Sequence, residues 1–230
     1  MATSCLGGDG IDVCVPEDQI GRVAVVPLTF DFGDGAVTTN EVAIGKGISD
    51  AVSKMDAGSN AVFAGKKQSD SEITIRKPDS GNPTSRLRLE NTLNDEVTVK
   101  AKKGTATDLI IAEGKFRKSS FTASQGKKTK TDDTVEVGSS AKLINSSFDL
   151  KKGADTFTLT GGAKLKGTNT LDLGKGGKDR VIIGNNVEGK GKLVIENMDK
   201  KDRLVYDGNE YKLKDITSGD ADLPGFLELG

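Results

Sequence analysis

The sequence predicts an all-β fold: a parallel β-helix (β-solenoid) with coils of about 23 residues, preceded by a small mixed N-terminal domain. Three observations carry this expectation. A short stamp recurs as Asp133-Thr-Val135-Glu-Val137, Asp155-Thr-Phe157-Thr-Leu159, Asp179-Arg-Val181-Ile-Ile183 and Asp202-Arg-Leu204-Val-Tyr206. Its aspartates lie 22, 24 and 23 residues apart (133 to 155 to 179 to 202). Apolar pairs spaced by one residue run from Ile73/Ile75 to Tyr211/Leu213, and that spacing puts both side chains on one face of a strand. Proline is absent between residues 84 and 223, where ladder donors are needed.

Residues 1–69 read as an N-terminal attachment or capping domain. The apolar stretch Val23 to Phe32 is one strand, or two interrupted by Pro27, and a Gly-Asp-Gly turn follows at residues 33–35. Ile48, Val52 and Met55 fall at helical spacing, so a short helix capped by Ser49 and ending near Gly58 is expected. The two cysteines, Cys5 and Cys14, stand nine apart and can form a local disulfide or remain thiols.

Residues 70–216 form the expected solenoid. From residue 135 two dyads make one period, and a lone aliphatic falls between them at Leu143, Leu165 and Val187. Three inward faces per coil suit a triangular cross-section. Gly and Asn occupy the expected corners, as in Gly184-Asn-Asn186, because they adopt positive φ readily. Gly126 to Thr131 reads as a loop insertion. The tail, residues 217–230, is expected to cap the far end of the solenoid or to bind a neighbour.

Composition narrows the function classes. The chain has 230 residues, 33 Lys+Arg against 34 Asp+Glu, and a net charge of −1. A nucleic-acid binder would show a basic excess or stripe, so the runs Lys127-Lys128-Thr-Lys130 and Lys200-Lys201 read as solvated loops. With no histidine in the sequence, Ser-His-Asp and Cys-His catalysis and Cys/His zinc sites are excluded. Aromatic residues make up 4% and Trp is absent, which leaves little to stack on sugar rings. The Gly174 to Gly177 run lacks the Gly-Lys-Ser/Thr of a phosphate loop. The expectation is therefore no enzyme, no catalytic residue and no cofactor. No window reaches the ~18 apolar residues of a membrane span. The N-terminus lacks the basic start and apolar run of a cleaved secretion signal.

Gly174-Lys-Gly-Gly-Lys-Asp179-Arg-Val-Ile and Lys152-Gly-Ala-Asp155-Thr-Phe resemble the calcium-binding repeats of the RTX family. That family repeats Gly-Gly-x-Gly-x-Asp-x-apolar-x every nine residues. Here the glycines are displaced by one and the Asp returns only every 23 or so residues. The resemblance makes Asp133, Asp155, Asp179 and Asp202 weak calcium candidates. One carboxylate per coil falls short of the six to eight oxygens that calcium takes, so the residues themselves favour corner markers that bond nearby backbone N–H groups.

A short, neutral, His-free and Trp-free β-solenoid behind a small N-terminal domain resembles a phage virion component. The resemblance implies a non-enzymatic capsid decoration or cement protein, or a tail or fibre subunit, located in the virion. Its partners would be other virion proteins or copies of itself, through residues 1–69 and the C-terminal tail. The alternative is an RTX-like calcium-binding adhesin or matrix protein outside the cell or on its surface.

Overall fold

The computed structural model describes residues 3–8, 10–31, 36–81, 83–124 and 131–230. The expected turn at residues 33–35, and the basic run and most of the loop within 126–131, lie outside the described residues. Strands make up 57% of the chain, wound as a β-solenoid of about 7 turns whose coils lie about 24 residues apart.

Two parallel ladders run the length of the stack. One sheet takes the strands Val52–Met55, Glu72–Ile75, Thr98–Ala101, Ser120–Thr122, Ser147–Asp149, Thr168–Asp172 and Lys192–Glu196 in succession. The other takes Ala36–Ile44, Asn60–Ser69, Thr84–Asp95, Ala106–Arg117, Thr134–Ile144, Thr156–Leu159, Arg180–Ile183 and Arg203–Tyr206. Side strands Lys164–Lys166 and Glu188–Gly189 continue this second sheet from Lys142 to Ile144. They supply the third inward face expected at Leu143 and Leu165, but the next rung of that row is Gly189, and Val187, expected there, stands two residues earlier and only partly buried.

Register explains the core. Leu87, Leu109, Val135, Phe157, Val181 and Leu204 stand directly over one another. So do Ile73, Val99, Phe121, Phe148, Leu171 and Ile195 on the other sheet. All twelve are buried. Phe148 lies between Phe116 and Phe157, at ring-centroid distances of 5.7 and 5.3 Å. The dyads of the sequence are thus the rungs of vertical aliphatic and aromatic columns, which compensate for the low apolar content by stacking small contacts.

The N-terminal region departs from expectation. The parallel ladder crosses residue 70, because Val52–Met55 pairs with Glu72–Ile75 and Asn60–Ser69 with Thr84–Asp95. The winding therefore begins upstream, within 36–69. No helix forms at 48–58. Ile48–Ser49 and Val52–Met55 are strands, Val52 is exposed, and Ser49 bonds Gln19 instead of capping. Ladder bonds to strands 20 or more residues away outweigh the local helical spacing. Val23–Asp31 is one strand, with Pro27 at the sheet edge, where a missing donor costs little.

Both ends finish in antiparallel hairpins. Thr3–Gly8 pairs with Ile11–Pro16, with Cys5 opposite Cys14 and the two joined in a disulfide. Val23–Asp31 turns back on Ala36–Ile44. At the far end Asn209–Tyr211 folds against Arg203–Tyr206. Leu213 opens the helix Leu213–Thr217 instead of completing the expected Tyr211/Leu213 strand dyad. The tail returns as Leu227–Leu229 beside Lys192–Glu196 and rests Leu223, Phe226 and Leu227 on the core.

Corners are less Gly-dependent than expected. Asp50, Asp70, Glu96, Lys118 and Asn145 hold φ near +50° at successive turns between the sheets. Glycine is required where backbones crowd. At Gly174, with φ +73°, a Cβ would run into the carbonyl oxygen of Lys151 one coil away.

Candidate functional site

The recurring aspartates form one internal column, at the corner where each coil enters the second sheet. Thr107, Asp133, Asp155, Asp179 and Asp202 occupy equivalent positions one residue ahead of the paired strands. The four carboxylates are at most 3% exposed. Each Oδ1 accepts the backbone N–H of the same position in the preceding coil. Asp133 accepts from Thr107 at 2.7 Å, Asp155 from Asp133 at 2.8 Å, Asp179 from Asp155 at 2.8 Å and Asp202 from Asp179 at 2.9 Å. Tight corners leave an N–H with no ladder partner, and a buried unpaired donor is costly. A short side-chain acceptor one coil away removes that cost.

The second oxygens differ. Asp133 Oδ2 accepts from the Thr131 hydroxyl at 3.0 Å, and Asp202 Oδ2 from the Asp199 N–H at 2.6 Å. Asp155 Oδ2 is buried with no hydrogen-bond partner among the described residues. Burial, the dominant cause, raises all four pKa values: to about 7 for Asp133, about 8 for Asp155 and about 6 for Asp179, with Asp202 also raised. Neighbouring carboxylates in the column add to the rise, while the accepted N–H bonds oppose it. At neutral pH the centre of the column therefore carries protons, and a protonated Asp155 gains an O–H donor.

A second capping column, which the sequence hides, lies at the next corner. Ser71 Oγ accepts the Ala51 N–H, Ser119 Oγ the Val97 N–H, and Asn169 Oδ1 the Ser146 N–H. The role is the same, but the residue type changes from Ser to Asn and the steps vary, so no stamp emerges. Farther around the coil, Gln68 and Asn94 stack above the position taken by Phe116, Leu143 and Leu165. Asn91 donates to Asn94 Oδ1 at 2.9 Å within this buried amide cluster.

Two arginines of the basic surface near residue 200 are engaged within the fold. Glu210 pairs with both Arg180 and Arg203. The Arg203 guanidinium also donates to the carbonyls of Lys201 and Asp202, fixing the turn that precedes its strand. The calcium candidates are brought together in one column, with every Oδ1 already engaged by a backbone N–H. Among the described residues no group of three or more Cys, Asp or Glu side chains is arranged to hold a metal ion, and no helix is long and apolar enough to cross a membrane. No protein-family model, curated protein or solved structure matches the chain.

Proposed function

We propose that the chain is a non-enzymatic structural protein, a rigid spacer belonging to a phage virion as a capsid decoration or cement protein, or as a tail or fibre subunit. The observation that supports this reading is the use made of the recurring carboxylates. They join coil to coil, each accepting a backbone N–H of the coil before it. A double ladder with end hairpins is stiff along its axis, and residues 1–69 and the C-terminal tail offer the ends for contact with other virion proteins or further copies. Quantitative proteomics of gradient-purified particles from the producing strain tests the reading. A fixed copy number per particle supports it, and loss of the chain from the particles on purification overturns it.

A second reading, a calcium-binding adhesin or matrix protein at the cell surface or beyond it, draws on the Asp155 oxygen that lacks a partner. Calorimetric titration with Ca²⁺ separates the two. A rise in melting temperature with measurable heat favours the calcium reading, and no response counts against it.

A further inference from the structure

We propose that the solenoid packs side by side with further copies of itself, through a row of lysines on one sheet and a row of acids on the other. Coil stacking turns a repeated position into a straight row, with neighbours about 4.8 Å apart. Lys115, Lys142 and Lys164 are consecutive rungs of one such row. Among the described residues Lys115 and Lys142 have no ion-pair partner, and Lys164 meets Glu188, the next rung, at 3.0 Å. Asp149, Asp172 and Glu196 are consecutive rungs of a row on the other sheet. There Lys151 pairs with Asp149, while among the described residues Asp172 accepts only neutral donors, from Gly174 and Asn197.

Two features favour a second copy as the occupant. The total charges nearly cancel, at 33 against 34, whereas a polyanion binder carries a basic excess. Both rows also inherit the same period from the same coils, so three lysines of one molecule match three acids of its neighbour in step. A parallel neighbour shifted by one coil sets Lys115, Lys142 and Lys164 against Asp149, Asp172 and Glu196. Without the shift Glu188 faces Glu196, and that repulsion selects the stagger. The contact is heterologous and advances one coil per copy, so it cannot close into a ring and propagates as an open assembly of rods. Single exposed ion pairs are weak, which makes the association a property of the whole row and sensitive to salt.

Sedimentation velocity of the full chain near neutral pH tests this at roughly 0.01 M and roughly 1 M salt, where screening lengths are about 30 and about 3 Å. Larger species at low salt that dissociate at high salt are expected. The double variants Lys142→Glu/Lys164→Glu and Asp172→Lys/Glu196→Lys each lose association at least tenfold, and mixing them restores it. Circular dichroism confirms that both fold, and the neutral Lys142→Gln/Lys164→Gln pair reports the same loss without charge reversal. A wild type that stays monomeric at low salt overturns the proposal. So does association that survives both double variants, a mixture that stays monomeric, or a wild type that assembles only when a sulfated polysaccharide is added.

Discussion

Asp179 Oδ1 accepts the backbone N–H of Asp155 at 2.8 Å, so a side chain in one coil completes the corner of the coil before it. That bond spans 24 residues and the one from the Asp133 N–H to Asp155 Oδ1 spans 22, a recurrence that sets the period read in the sequence.

Asp155 distinguishes acceptor from charge. Asp155→Asn keeps an oxygen for the Asp133 N–H and removes a buried charge, whereas Asp155→Ala strands that N–H. Chemical denaturation at about pH 8 should show the Asn variant equal to or more stable than wild type. The Ala variant should lose about 1–3 kcal/mol. Equal losses in both would mean that the acceptor is not what the column supplies.

Stability should fall as pH rises through the neutral range. Asp133, Asp155 and Asp179 have folded-state pKa values of about 7, about 8 and about 6, above the unfolded value of about 3.9. The folded state then binds more protons between about pH 4 and pH 8, so their contribution is complete below that window and lost across it. Below about pH 4 the sign reverses. Hydrogen bonds from Lys100 and Arg117 lower the pKa values of Glu72 and Asp95, and those contributions vanish as these groups protonate. Melting temperature against pH should therefore peak on the acid side. A flat profile from pH 5 to pH 9 would show that the column titrates like free carboxylates.

The buried amides Gln68, Asn91 and Asn94 should be replaceable together but not singly. Asn94→Leu alone removes the nearer of the two acceptors of the Asn91 Nδ2, leaving Gln68 Oε1 at 3.5 Å, and should cost about 1–3 kcal/mol. The triple change to Leu extends the apolar row of Phe116, Leu143 and Leu165 at positions 94 and 68 and removes the remaining buried amide at 91. It should recover most of that loss, as read by the denaturation midpoints of the two variants.

Reducing the Cys5–Cys14 disulfide should loosen the N-terminal hairpin. A bond closing a loop of this length contributes roughly 2.5 kcal/mol in the chain-entropy model. Hydrogen exchange of a Cys5→Ser/Cys14→Ser variant should accelerate at residues 3–16 while the coils beyond residue 84 stay protected. Uniform acceleration along the chain would make the hairpin part of the global folding unit instead.

The solenoid was legible in the sequence because two signals coincide there: period-2 dyads such as Phe157/Leu159, and an aspartate that returns at one corner of four successive coils. The corner placement of the carboxylates was legible too, since one Asp per coil supplies too few oxygens for calcium, but the bond to the preceding coil in place of a local turn was not. What the sequence hid was hidden by substitution and by spacing. Ser71, Ser119 and Asn169 do one job with two residue types. Ile48, Val52 and Met55 fit a helix locally, and only ladders to coils 20 or more residues away decide for strands. The start of the winding was obscured because its first strands lie among hairpins and precede the stamp.

Every aspartate of the column serves the coil that precedes it, and Asp202, last in line, has its own N–H held by Asp199 within its own turn. The dependence runs one way. On a ribosome, each coil emerges about 23 residues ahead of the carboxylate that closes it. Growth leaves one unfinished corner at the leading end until the self-contained final turn arrives.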